Sequence, residues 1–265
     1  MRAHPPVSPR ARRALRRLGL QHTAVSGSGP GGRILEADVL AAARGTPGPN
    51  RRRAIAARTL GNFTQVPHFY LQAEADASAL METRKKLLAG DGDVRVTFTD
   101  FLLAAQGRAL ADCPWANAIW RNDGVQPLAS ADVGLVVALE DGLLIPILRG
   151  LDRLSVKQIA AERARLVENA RAGRLAAPEM DGGATSLSNL GKGRVDSFAA
   201  IIHQPQSTML AAGQIAQRPW VADGKLVVAP TIRLTLSVDH RVLDGDPAAR
   251  FLDRIVYHIE RPPVS

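Results

Sequence analysis

The run Gly45-Thr46-Pro47-Gly48-Pro49-Asn50 breaks the chain into two textures, and few folds are compatible with both. Ahead of it, Ser8 followed by Pro9 reads as an N-cap with proline at the first helical position, and Gly19 as the stop. Ala11, Ala14, Leu15 and Leu18 then share one helical face, while Arg10, Arg12, Arg13, Arg16 and Arg17 take the others. A glycine loop from Gly27 to Arg33 leads to a second apolar helix from about Leu35 to Ala43. Two short helices around a tight loop predict an all-α module of about 40 residues, near the lower limit for independent folding.

Beyond the break, helical and extended patterns alternate. Helices are expected over 52–62, 98–111, 155–172 and 247–260, and strands over 69–75, 133–139, 143–148, 184–187, 209–215 and 232–238. That alternation predicts an α/β domain. Among 265 residues, 46% are apolar and 22% charged, enough to bury a sizeable core. The expected organisation is a tail at 1–6, a small helical domain at 7–44, a linker at 45–50 and a large domain at 51–265.

The formal charge of +9 belongs to the head alone. Residues 1–58 hold 12 arginines against Glu36 and Asp38, whereas the remainder carries 22 bases and 23 acids. A whole-protein nucleic-acid or membrane affinity is therefore not implied, although nucleic acid stays a rival partner for the head. No run approaches the 18 or so apolar residues of a membrane span. A single cysteine, Cys113, excludes an internal disulfide and a multi-cysteine metal site, and fits a reducing compartment.

Gly27, Gly29 and Gly32 match G-x-G-x-x-G, yet a helix precedes them, Pro30 interrupts them and no acid follows at the required distance, so dinucleotide binding is excluded. Asp239-His240-Arg241-Val242-Leu243-Asp244-Gly245 follows a predicted strand and precedes a predicted helix. A histidine at a strand exit is rigidly held yet faces a cleft, which suits a general base, and Asp244 can brace the loop. On spacing alone, a solvated histidine in a polar turn stays open. His68 and His203 are ambiguous, His4, His22 and His258 have weaker claims, and none forms a metal-ligand cluster.

These residues resemble a known family. The DHRVLDG segment is similar to the active-site signature of the 2-oxo acid dehydrogenase acyltransferases, and chloramphenicol acetyltransferase shares its H-x-x-x-D-G element. Arg52-Arg53-Ala54-Ile55-Ala56, Val66-Pro67-His68, Glu140-Asp141-Gly142-Leu143-Leu144-Ile145-Pro146 and the run from Gly182-Gly183 to Gly191 resemble further catalytic-domain motifs in the right order. The first 44 residues resemble the peripheral subunit-binding domain.

The resemblance implies a two-layer sandwich of mixed sheet and helices, the coenzyme A-dependent acyltransferase fold, behind an all-α docking domain. It implies transfer of an acyl group, acetyl foremost, between dihydrolipoamide and coenzyme A in a 2-oxo acid dehydrogenase complex. His240 would be the base, Ser188 the oxyanion donor and Asp244 an orienting carboxylate. Spacing places Ser186 and Ser188 on one strand face, and only the resemblance selects Ser188. Family enzymes are trimers in which serine and histidine come from neighbouring subunits. Arg12, Arg13 and Arg33 would dock a decarboxylase or dihydrolipoamide dehydrogenase, so the expected partners exclude nucleic acid and membrane.

None of Lys85, Lys86, Lys157, Lys192 and Lys225 sits in an Asp-Lys-Ala turn, so the lipoyl group is expected from a separate lipoyl-carrying protein or from a longer version of this chain. Arg194, His203 and Gln204 replace the family's usual glycine, asparagine and proline, which bears on acyl specificity. A cytoplasmic location is expected, or the mitochondrial matrix in a eukaryote. A non-catalytic scaffold and a stand-alone acetyltransferase on a small molecule are the alternatives.

Overall fold

The structure, a computed structural model, describes residues 6–18, 22, 25–43, 49–89, 94–139 and 142–263. Contacts divide the chain into two units, the first running to Arg58 and also taking in Gly142, the second holding the other described residues from Thr59 onward.

In the first unit α1 spans Pro9–Leu18 and α2 Glu36–Ala43. Ser8 caps α1, its Oγ accepting the Ala11 N–H at 3.2 Å and its carbonyl the Arg12 N–H at 2.9 Å. Ala11, Ala14 and Leu15 of α1 are buried with Val25, Ile34 and Val39, so the apolar face expected of this helix is the one the core uses. The expected stop at Gly19 lies outside the described residues. Gly31 and Gly32 take φ of +68° and +75°, which favour glycine, and a Cβ on Gly27 would come within 2.2 Å of the Gly32 carbonyl oxygen. The glycines are thus accounted for by backbone packing within the loop.

Asp38 ties this loop to α2. Its carboxylate accepts the Ser28 hydroxyl at 2.6 Å and the backbone N–H groups of Ser28 and Leu35 at 3.0 and 2.7 Å. The Ser28 hydroxyl, followed by the Leu35 amide, holds the carboxyl below its ordinary pKa.

The helix expected over 52–62 is longer: α3 runs Pro49–Gln65, with Pro49 at its first position, so two residues expected in the linker belong to a helix. After it come β1 (His68–Asp76), α4 (Ser78–Leu88) and α5 (Phe98–Asp112). Then follow β2 (Ala118–Arg121), β3 (Gly124–Pro127), β4 (Val133–Leu135), β5 (Val137–Leu139), β6 (Gly142–Leu144) and β7 (Ile147–Leu148). The chain closes with α6 (Val156–Arg171), β8 (Thr185–Asn189), β9 (Thr208–Ala222), β10 (Lys225–Asp239) and α7 (Gly245–Glu260).

Six strands form one mixed sheet in the order β1-β10-β9-β8-β4-β7, parallel only at β4/β8 and β8/β9. One face carries Leu187, Leu210, Leu234, Leu236 and Val238 into the main core, where Leu80, Phe101, Ile159, Leu166, Phe251 and Ile255 arrive from α4 to α7. Strand alternation sends Ser186, Ser188, Met209, Ala211, Thr235 and Ser237 to the opposite face. There a smaller apolar cluster of Val66, Ile145, Ile202 and Met209 covers part of the sheet. This is the expected two-layer arrangement.

Several expectations needed correction. The strand expected over 133–139 is broken at Val136, whose N–H turns to the Leu187 carbonyl at 2.9 Å, and the one over 143–148 divides into β6 and β7. Strands β9 and β10 are twice as long as expected, joined by a turn at Asp223-Gly224 with φ of 50° and 74°. The short hairpin β2/β3, turning at Asn122-Asp123, and helix α4 were not anticipated.

Because the folded pKa of Asp38 is depressed, its stabilisation is present above the unfolded carboxyl pKa and is lost as pH falls through the folded value. Asp38→Asn should therefore speed amide exchange across residues 25–43 at pH 7 and remove the wild type's loss of protection on acidification.

Candidate active site

β10 delivers His240 to the end of the sheet. Asp239 pairs with His68 at the last position of the β1/β10 ladder, and its N–H donates to the Ser207 carbonyl at 2.8 Å. The His240 N–H donates to the Pro67 carbonyl at 3.0 Å. The backbone on both sides of the histidine is therefore pinned before the side chain begins.

Asp239 shapes the turn that follows. Its carbonyl accepts the N–H groups of Val242 and Leu243 at 2.9 and 3.1 Å. Its carboxylate is 1% exposed and accepts the Arg241 N–H at 3.0 Å, with the Arg241 guanidinium at 3.0 Å through Nε and 2.7 Å through Nη2. Arg241 in turn lies over the Trp120 ring, 5.2 Å from its centroid. Hydrogen bonds to a charged group contribute about 1.5–3 kcal/mol each, so this cluster can hold the turn rigid. The loop-bracing carboxylate is thus Asp239, the first residue of the motif.

The His240 imidazole, 53% exposed, stands clear of this cluster. It packs against Phe69 with ring centroids 4.7 Å apart at 51°, and its Nδ1 lies 3.5 Å from Asp244 Oδ1. That separation is longer than an N–H···O hydrogen bond, and the Asp244 side chain is 83% exposed. Asp244 is the N-cap residue of α7 without a side-chain cap bond, so its carboxylate is left facing the imidazole. Phe69 therefore packs against the ring while Asp244 faces its Nδ1 side.

Ser186 and Ser188 differ in what surrounds them. Ser186 is fully buried and its Oγ hydrogen bonds Gln206 Oε1, while Gln206 Nε2 donates to the Gly182 carbonyl at 3.1 Å. Ser188 is half-buried and its Oγ has no hydrogen-bond partner among the described residues. Ser186 is a structural hydroxyl, and Ser188 is the one left available.

His240 and Ser188 of one chain do not meet. Register places Thr185, Thr208 and Val238 level across three strands, with Ser188 and His240 running away from that line in opposite directions. At about 3.3 Å per residue and 4.8 Å per strand, the two lie roughly 20 Å apart, beyond the joint reach of their side chains.

The remaining candidates separate by surroundings. His258 Nε2 lies 2.8 Å from Asp112 Oδ2, a carboxylate also held by Arg254, so it links α7 to α5. The ring nitrogens of His68 both contact backbone groups, Val66 O at 2.8 Å and Ile202 N at 3.1 Å. Arg12, Arg13 and Arg33 are exposed and make no ion pair among the described residues. Among those residues no group of three His, Cys, Asp or Glu side chains could hold a metal, and no helix is long and apolar enough to cross a membrane.

A model of the 2-oxoacid dehydrogenases acyltransferase catalytic domain matches residues 42–264, and one of the E3-binding domain matches residues 5–40. The chain is 33% identical over 275 residues to the dihydrolipoyllysine-residue acetyltransferase component of the pyruvate dehydrogenase complex of Rickettsia conorii, covering 97% of this chain and 67% of that one. It thus spans about two thirds of the length of that relative.

Among solved structures it is similar to the Azotobacter vinelandii dihydrolipoamide acetyltransferase, with a TM-score of 0.75 and 30% identity over 81% of this chain and 90% of that one. That structure addresses the role of a serine, a histidine and an asparagine in catalysis. Chloramphenicol acetyltransferase, at 14% identity and a TM-score of 0.52 over 81% of this chain and 96% of that one, shares the fold. From the sheet order, the DHRVLDG turn and these likenesses, the chain belongs to the 2-oxoacid dehydrogenase acyltransferase family.

Proposed function

We propose that this chain moves acyl groups, acetyl foremost, between dihydrolipoamide and coenzyme A as the core component of a 2-oxo acid dehydrogenase complex. The observation that carries the proposal is His240, pinned at a strand exit by Pro67 and Asp239 with its ring exposed. In the Azotobacter vinelandii enzyme the spacings from the serine to the histidine and from the histidine to the asparagine equal those from Ser188 to His240 to Asp244. Aspartate stands here in place of that asparagine.

Exchange between two thioesters is nearly balanced in free energy, so the protein has to lower a barrier. A thiol with a pKa of about 8.5 is mostly protonated at neutral pH. Nε2 of His240 takes the proton from the coenzyme A thiol as its sulfur attacks the acyl carbonyl. The carbonyl oxygen becomes an oxyanion, which the Ser188 hydroxyl stabilises. Collapse breaks the bond to the lipoamide sulfur, and the imidazolium returns the proton to that departing thiolate. Asp244, facing Nδ1, favours the imidazolium that forms and carries no proton itself.

Ser188 and His240 of one chain lie roughly 20 Å apart by register, which supports a site assembled between neighbouring copies, in the trimer or multiple of trimers that the family resemblance implies. The proposed division is a docking domain at 7–44, a linker at 45–50 and a catalytic domain at 51–265, working in the cytoplasm. The lipoyl group arrives on a segment outside these residues, since no lysine here occupies an Asp-Lys-Ala turn. The docking domain offers Arg12, Arg13 and Arg33, unpaired among the described residues, to an acidic face of the decarboxylase or dihydrolipoamide dehydrogenase.

With acetyl-CoA and dihydrolipoamide, His240→Ala should abolish transfer. Ser188→Ala should lower kcat by about 10²–10³-fold with little change in KM, the usual cost of one oxyanion donor. Ser186→Ala should instead lower the melting temperature and leave kcat within about threefold, since it removes a buried hydrogen bond. Wild-type kinetics in Ser188→Ala would refute its role. Reversing charge at Arg12, Arg13 and Arg33 should weaken docking to the partner and flatten its salt dependence, with duplex DNA left unbound at physiological salt. Salt-sensitive binding of duplex DNA by the wild type would reverse the assignment of that surface.

A further inference from the structure

His68 opens β1 opposite Asp239 and is half-buried, its ring near Phe63 at 5.9 Å and Tyr70 at 6.1 Å between centroids. The Ile202 N–H lies 3.1 Å from its Nε2 and the Val66 carbonyl 2.8 Å from its Nδ1. A backbone N–H can only donate and a carbonyl can only accept. Nε2 therefore holds a lone pair, Nδ1 carries the proton, and the ring is neutral in a single tautomer. Ile202 is fully buried with Val66, Ile145 and Met209, so losing the imidazole would strand its N–H away from water.

Two segments hold the backbone around His240. Pro67 accepts the His240 N–H and belongs to the strap Val66-Pro67-His68, whereas Ser207 accepts the Asp239 N–H and ends the run that begins at Ala200. The His68 side chain reaches from the strap to Ile202 in that run. Two further contacts seat the same run, with the Ser237 Oγ donating to the Ala200 carbonyl at 2.6 Å and the Ser207 Oγ to the Ala118 carbonyl at 2.6 Å.

We propose that His68 is a positioning residue for His240. Its neutral imidazole clamps the strap to the 200–207 run, and the two clamped carbonyls then fix where the base points. This inference rests on the assignment of His240 as the base.

Asparagine and glutamine separate the clamp from mere space-filling. In His68→Asn the amide can still donate to Val66 but is too short to meet Ile202, whereas in His68→Gln the amide oxygen can accept from the Ile202 N–H. In the assembled full chain, His68→Asn should lower kcat by about tenfold or more, the effect of stranding a buried donor. The KM values for coenzyme A and dihydrolipoamide should stay within about twofold, as expected of a residue that acts through His240 and not on substrate binding. His68→Gln should recover most of kcat. Equal kcat in the two variants would overturn the proposal.

Amide exchange provides a readout independent of transfer. Residues 200–206 and 239–243 should exchange faster in His68→Asn by about tenfold and near the wild-type rate in His68→Gln. In the wild type the Ile202 amide should be strongly protected, and rapid exchange there would overturn the clamp even if a variant fails to assemble. An inactive wild type with the expected exchange pattern would remove the assignment of His240 as base while upholding the clamp.

Discussion

The buried carboxylate of Asp239 is the constraint on which the active-site end of the sheet depends. It ends β10, accepts the backbone N–H of Arg241 in its own turn, and holds the Arg241 guanidinium over the Trp120 ring. Its own N–H and that of His240 are meanwhile anchored to Ser207 and Pro67. A carboxylate this well buried offsets its desolvation only when its hydrogen-bonding capacity is satisfied, and here both oxygens are used by a partly exposed arginine. The consequence is a histidine whose backbone cannot wander while its ring stays exposed.

The sheet separates folding from chemistry by alternation. Odd and even positions of β8 divide so that Leu187 enters the helix-covered core while Ser186 and Ser188 face the other way. Within that second face the distinction is between satisfied and unsatisfied hydroxyls. Ser186 is committed to Gln206, and Ser237 and Ser207 donate to the carbonyls of Ala200 and Ala118 at 2.6 Å each. Ser188 remains without a partner among the described residues, at a level of the sheet that His240 of the same chain cannot reach. If Ser188 and His240 act together as proposed, the same geometry calls for a second copy of the chain.

Much of this was legible in local patterns and much was not. The cap at Ser8 and the apolar face of α1 follow from spacing over one or two turns, and the structure has both. Helix α4 escapes because Ala77 gives no side-chain cap and Met81 and Leu88 lie exposed, leaving little amphipathic signal. The hairpin turns at Asn122-Asp123 and Asp223-Gly224 did carry a signal, residues that tolerate φ > 0, and β9 and β10 could have been extended to the second of them. DHRVLDG carries the proposed base, but the carboxylate bonded within its turn is Asp239, and spacing alone offers Asp244. Only the pairing of β1 with β10 and the approach of the 200–207 run bring Pro67, Ser207 and His68 to bear on His240, and those contacts join residues over 30 positions apart.

The central claim is that one functional site takes its serine and its histidine from different copies of the chain. Co-assembling equal amounts of Ser188→Ala and His240→Ala chains tests it directly. A random mixture should give roughly a quarter of interfaces with both groups intact, and acyl transfer from acetyl-CoA to dihydrolipoamide should recover to about that fraction of wild type. Transfer that stays at the average of the two parent variants would contradict a shared site.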